Sequence, residues 1–129
     1  MGVLGKLFGG KPKPGRPQPT VLATFEEDVL SATRPVVVDF WAKWCAPCQV
    51  TSGLLDEIGP EYVGKIDFYK LDIDQSPEIA AQYKVRSIPT LIFFHRGDVV
   101  NRVVGVMPLN PLKKALDRLA ALRSKNEGT

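Results

Sequence analysis

Residues 36 to 40 read VVVDF, an apolar β-branched run broken by a single aspartate. A run without polar alternation fits a strand covered on both faces, as occurs in the central strands of parallel or mixed sheets with helices on each side. That strand commits the chain to a layered α/β fold. It also carries Asp39 into the interior, where loss of water disfavours a charge.

The remaining punctuation supplies the layers. TVLA at 20 to 23 predicts a short strand, and Thr24-Phe25-Glu26-Glu27 a helix start with a cap and an acid three residues on; Arg34-Pro35 ends that helix. Pro47 suits a first helical turn, and Val50, Leu54, Leu55, Ile58 and Tyr62 recur at helical spacing up to Gly64. IDFYKLDID at 66 to 74 alternates as a strand, Ser76-Pro77-Glu78 opens a short helix through Ala81 and Tyr83, and TLIFF at 90 to 94 is a further apolar strand. His95-Arg96-Gly97-Asp98 reads as a hairpin turn leading into VVNRVVGV at 99 to 106. Asn110-Pro111 caps a last helix striped by Leu112, Leu116, Leu119 and Ala120. The order β-α-β-α-β-α-β-β-α demands a central mixed sheet flanked by helices on both faces.

With 129 residues the chain has room for one cored domain, placed at 20 to 123, with a short tail at 124 to 129. Residues 1 to 19 read as a flexible tail, because the alternating prolines and glycines of GGKPKPGRPQP sustain neither helix nor sheet. Four of the basic residues, Lys6, Lys11, Lys13 and Arg16, lie in that tail, so the net charge of +3 leaves −1 for everything after it. A nearly neutral body without a basic groove argues against nucleic acid as a partner. Val3, Leu4, Leu7 and Phe8 offer too little apolar area in residues 1 to 10 to favour membrane contact. There is neither a signal-peptide core nor an apolar run of about 18 residues, so the expected location is cytoplasmic.

The only two cysteines, Cys45 and Cys48, fall at a strand-to-helix junction, where sites of such sheets tend to lie. Three apart at a helix start, their Cα atoms stand about 5 to 5.5 Å apart, so dithiol and disulfide both fit. A loop this small gives only about 2 kcal/mol as a staple, and zinc lacks its remaining ligands, since the one histidine, His95, lies far along the sequence and the carboxylates show no ligand spacing. Thiol-disulfide exchange remains. The helix N-terminus favours a thiolate at Cys45, and Cys48 is placed to attack the mixed disulfide that Cys45 forms. Asp39, desolvated and with a raised pKa, is the candidate base for the Cys48 proton; a structural pairing with a lysine is the competing reading. The cycle calls for no cofactor and no metal.

Through VVVDFWAKWCAPC at 36 to 48, KLDID at 70 to 74, RSIPTLIFF at 86 to 94, Gly97 and Gly105, the chain resembles the thioredoxin family over about residues 20 to 123. The resemblance implies the thioredoxin fold and a protein-disulfide reductase in which Cys45 is the nucleophile, Cys48 the resolving thiol, Asp39 the buried acid and Lys70 its neighbour. It implies that Trp44 shields the disulfide and that Pro89 is a cis-proline beside the cysteines. Ala46, Pro47, Ile88, Pro89 and Val104, Gly105 and Val106 would form an apolar patch on which an extended substrate segment pairs with the Ile88 backbone. The implied partners are disulfide-containing proteins and a thioredoxin-reductase-type electron donor. Three departures touch the site: Ala46 replaces the family's usual glycine, Gln49 a basic residue, and Gly53 a helix-kinking proline. A second reading makes the domain an interaction module tethered by its N-terminal segment.

Overall fold

The computed structural model describes residues 14–127. Five strands form one sheet in the order β1-β3-β2-β4-β5: β1 Gln18–Pro19, β2 Val36–Trp41, β3 Asp67–Asp72, β4 Thr90–His95 and β5 Asp98–Val104. The helices are α1 Leu22–Phe25, which widens into a π-helical turn over Glu26–Leu30, α2 Ala46–Ile58 with a 3-10 turn at Gly59–Tyr62, α3 Pro77–Gln82, and α4 Leu109–Glu127. β2 runs parallel to β3 and antiparallel to β4, with Asp39 opposite Lys70 on one side and Leu91 on the other. This is the mixed sheet that the element order required.

Alternation along the strands sorts the core into two layers. Val37, Phe68, Leu91 and Phe93 face α2 and α4, where they pack on Leu55, Ile58, Leu112, Leu116 and Leu119. Val36, Val38, Phe40, Leu71, Ile92 and Phe94 face α1 and α3, where they meet Phe25, Val29 and Ile79. On that second face the Phe94 ring stands edge-on to Phe25 at 5.9 Å and to Tyr83 at 5.3 Å. Val36 to Asp39 and Phe40 are all buried, as the apolar run demanded. Each fully buried leucine or phenylalanine contributes about 1.5 to 3 kcal/mol, so these two layers hold the sheet between the helices.

Several boundaries differ from the sequence expectation. TVLA does not form a strand: Thr20 donates one further ladder bond to the Lys70 carbonyl, and the chain then turns into α1. Thr24 closes that turn from its third position rather than its cap, accepting the Val21 N–H at 3.2 Å, while the Leu22 N–H donates to Ser76 Oγ at 3.0 Å. The strand is supplied instead by Gln18–Pro19, inside the stretch expected to hold no sheet; an edge strand tolerates the missing proline N–H. Residues 1–13 of the expected tail lie outside the described residues. At the other end α4 continues as helix to Glu127, past the expected boundary at 123.

The segment Pro14–Pro19 is held by two contacts with the end of α2. Arg16 Nη2 meets Asp56 Oδ2 at 2.7 Å. Gly15 and Gly59 lie backbone against backbone, so closely that a Cβ on either would run into the carbonyl of the other. The β4–β5 turn is the one foreseen, with Arg96 and Gly97 both at positive φ, 52° and 86°, as a type I′ hairpin requires.

Candidate active site

Cys45 is the N-cap of α2, with extended backbone at φ −96° and ψ 108°. Its sulfur takes the role that a serine oxygen usually plays: the Cys48 N–H, the third of the helix, donates to Cys45 Sγ at 3.2 Å. Pro47 lies between them in the first turn, where its missing N–H leaves no donor unpaired. The two cysteines are joined as a disulfide with their Cα atoms 5.3 Å apart, within the spacing expected from the sequence. Cys48 is fully buried and Cys45 nearly so, in a small cluster with Ala42 against which Trp41, Ile73 and Ile88 pack.

The bond between Ile88 and Pro89 is cis, and the Ile88 carbonyl oxygen lies 3.8 Å from Cys45 Sγ. The Pro89 carbonyl accepts the Gly105 N–H at 2.8 Å, which ties this loop to the end of β5. Val104 and Val106 are 61% and 43% exposed beside it. Ala46 and Pro47 are exposed and Ile88 is half-buried, whereas Pro89 itself is buried. Trp44 is 70% exposed, and its indole Nε1 donates to Asp74 Oδ2 at 2.9 Å.

Asp39 is 1% exposed on the face of β2 that α2 covers. Burial pushes its pKa up to about 7; the Lys70 charge pulls it back in part, the nearby Ser52 hydroxyl a little more, and the Asp56 carboxylate pushes it up again. Neither Asp39 oxygen meets a donor in hydrogen-bond geometry among the described residues. Lys70, its register partner, makes no ion pair with it among those residues and places its ammonium 5.6 Å from the centre of the Trp41 ring. The Lys70 charge thus acts on the Asp39 carboxyl without an ion pair between them among the described residues.

All the expected site residues thus fall on one end of the sheet or on the helix above it. Sequence reading missed Trp41, Ile73 and Asp74, which wall the cysteines and anchor Trp44. The parallel register was the available signal, since pairing FW at 40 to 41 with LD at 71 to 72 places the end of KLDID beside the cysteine loop. Of the departures, Gly53 is exposed with open space around it, and α2 runs through it without a break. Among the described residues no group of three His, Cys, Asp or Glu side chains is placed to hold a metal, and no helix is long and apolar enough to cross a membrane.

The thioredoxin family model matches residues 17–118. Thioredoxin of Synechocystis sp. is 47% identical over 96 residues, which cover 74% of this chain and 90% of that protein. Thioredoxin 1 of Nostoc sp. is 45% identical with the same coverage. Thioredoxin M2, chloroplastic, of Arabidopsis thaliana is 46% identical over 74% of this chain and 52% of its own length. With a disulfide-bonded Cys-x-x-Cys pair at the mouth of a helix in the matched region, the chain belongs to the thioredoxin family and is a thiol-disulfide oxidoreductase.

Proposed function

We propose that the protein runs in the reducing direction, as a dithiol that opens disulfides of other proteins, with Cys45 as nucleophile, Cys48 as resolving thiol and Asp39 as base. The assignment of Cys45 as nucleophile is carried by the Cys48 N–H donating to Cys45 Sγ at a helix N-terminus. A donor aimed at the sulfur, together with the positive end of the helix, stabilises a thiolate over a thiol. Cys45 thiolate attacks one sulfur of the substrate disulfide and expels the other as a thiolate, which takes a proton from solvent. Cys48 then gives its proton to Asp39 and attacks Cys45 Sγ, expelling the second substrate sulfur. Two electrons have passed to the substrate, and the protein is left as the Cys45–Cys48 disulfide. A thioredoxin-reductase-type donor returns the two electrons.

Asp39 suits the role because a base that titrates near neutrality can take a thiol proton without staying protonated. Lys70 tunes it from the next strand. Trp44 shields the pair from the Asp74 side, and Ala46, Pro47, Ile88, Pro89, Val104, Gly105 and Val106 receive an extended substrate segment along the Ile88 backbone. So shallow a surface suits many protein disulfides. A reducing compartment fits, and we place the protein in the cytoplasm.

Reduction of insulin by the protein with NADPH and a thioredoxin reductase tests this reading. Turnover that depends on both cysteines is expected. Failure of the folded dithiol form to reduce insulin, or an equilibrium with glutathione that leaves the pair mostly oxidised in reducing buffer, would overturn it.

A further inference from the structure

The end of α3 sets the path of the loop that leads to Ile88. Lys84, at φ 55°, donates its N–H to the Ala81 carbonyl at 3.1 Å, and Val85 donates to the Ala80 carbonyl at 2.8 Å, the paired bonds of a Schellman motif. Val85 and Ile88 then pack inward on the core layer beneath α3, while Arg86 between them is exposed. From the edge strand β5, Arg102 lays its guanidinium across the same loop, Nη2 donating to the Tyr83 carbonyl. Val104 stands two residues further along β5, on the same face as Arg102. Lys84, Arg86 and Arg102 thus make an exposed cationic rim along one flank of the apolar patch. The three ion pairs among the described residues lie at the other end of the sheet: Arg34–Asp67 at the starts of β2 and β3, and Arg16–Asp56 and Lys113–Glu61 around the end of α2. The exposed acids at the cysteine end are Asp74, which holds the Trp44 indole, and Glu78 in the first turn of α3, and neither pairs with a rim cation among those residues. The N–H groups of Arg86, Ser87 and Ile88 also meet no backbone acceptor among the described residues, which leaves this stretch open to an added strand.

We propose that Arg86 and Arg102, with Lys84 beside them, select substrates by charge: the protein disulfides reduced fastest carry an aspartate or glutamate about two residues from the attacked cysteine. The inference rests on the docking of an extended substrate segment along the Ile88 backbone. A strand laid along residues 88 to 86 carries the side chain two positions from its cysteine past Arg86, because residues two apart share a face. A carboxylate there meets a guanidinium fork that no acid of the protein already holds. Charge complementarity of this exposed kind acts mainly on the rate of encounter, and salt screens it. Acid-flanked disulfides are therefore captured faster, while the apolar patch and the main chain hold them once docked.

The test uses disulfide-linked peptide dimers that differ only in carrying Asp, Asn or Lys two residues before or two residues after the cysteine. Second-order rate constants are measured with the full chain, reduced beforehand and reacted without a reductase. Each is divided by the rate of the same peptide with dithiothreitol, which removes the effect of the added charge on the sulfur itself. At low ionic strength the best Asp peptide is expected to react about threefold to tenfold faster than its Lys counterpart, a ratio that falls below about twofold in 0.5 M salt. Arg86→Glu should reverse the order and Arg102→Gln should shrink the ratio, whereas Lys65→Gln, in the exposed turn before β3, should leave it in place. A purely structural loss lowers all the peptides alike and does not move the ratio. Equal rates for Asp and Lys peptides, or a ratio unmoved by Arg86→Glu, would overturn the proposal. If insulin is still reduced in that case, charge selection falls and the reductase reading stands. A folded dithiol form inert towards both the peptides and insulin removes that reading, and the rim's role with it.

Discussion

The N–H of Cys48 donates to the sulfur of Cys45 at 3.2 Å, so the backbone of one cysteine holds the sulfur of the other. The same first helical turn positions both sulfurs, and it leaves Cys45 at the mouth while Cys48 stays beneath.

Alkylation of the reduced protein should therefore separate the two thiols. Cys45 is expected to react with iodoacetamide along a pH curve whose midpoint lies below the ordinary thiol value of about 8.5, with Cys48 modified far more slowly. Cys48→Ser should keep the low midpoint and accumulate a stable mixed disulfide with substrate, detected by mass spectrometry. Equal reactivity of the two thiols would contradict the geometry.

Asp39 makes stability depend on pH in a stated direction. Its folded pKa, about 7, lies above its ordinary value of 3.8, so the folded state holds a proton that the unfolded chain releases. The contribution to stability is full below about pH 4, declines as pH rises through 7 and stays low above it, by at most about 4 kcal/mol for a shift of this size. Asp39→Asn should then be more stable than the parent protein at pH 8, with the gap closing towards pH 4. Urea unfolding at a series of pH values measures it, and a constant gap would disprove the linkage.

Gly59→Ala tests the seam between the N-terminal segment and α2. A Cβ there meets the Gly15 carbonyl oxygen, so the segment must move and the Arg16–Asp56 pair is disturbed. The expected cost is about 1 to 3 kcal/mol in the full chain. In a chain truncated before Gln18 the same substitution should cost nothing, since alanine suits the helical backbone at this position, φ −52°. Thermal unfolding of the four proteins forms the cycle, and an equal cost in both backgrounds would refute it.

Val104→Asp and Val106→Asp probe the exposed apolar surface beside Pro89. Each should lower kcat/KM for insulin about tenfold, equivalent to roughly 1.4 kcal/mol of lost docking. Reduction of a small aromatic disulfide, which does not span that surface, should stay within about twofold. Equal loss with both substrates would place the effect on the sulfurs instead.

What the sequence disclosed and what it hid follow from the range of the forces involved. VVVDF announced a strand buried on both faces, and Cys45 and Cys48 sat at the helix start that Pro47 marked, because these signals are local. Val50 was expected on the buried stripe of α2 and is 54% exposed. The sulfur of Cys48 and the hydroxyl of Thr51 take the inward face instead, and periodicity counted over apolar residues alone passes over them. TVLA favoured a strand by composition, yet Ser76, 54 residues from Leu22, drew the N–H of Leu22 into a helical turn. The Gly15–Gly59 apposition was equally invisible, since nothing near either glycine names its partner.

That apposition fixes where the rest of the polypeptide joins the fold. Gly15 abuts the far end of α2, a rod of 13 residues and so about 20 Å from the cap where Cys45 sits. Gly15 and Arg16 therefore meet the fold at the pole opposite the sulfurs. The seam at Gly15 and Gly59 and the disulfide thus occupy opposite ends of one helix, so a change at either can be read without touching the other.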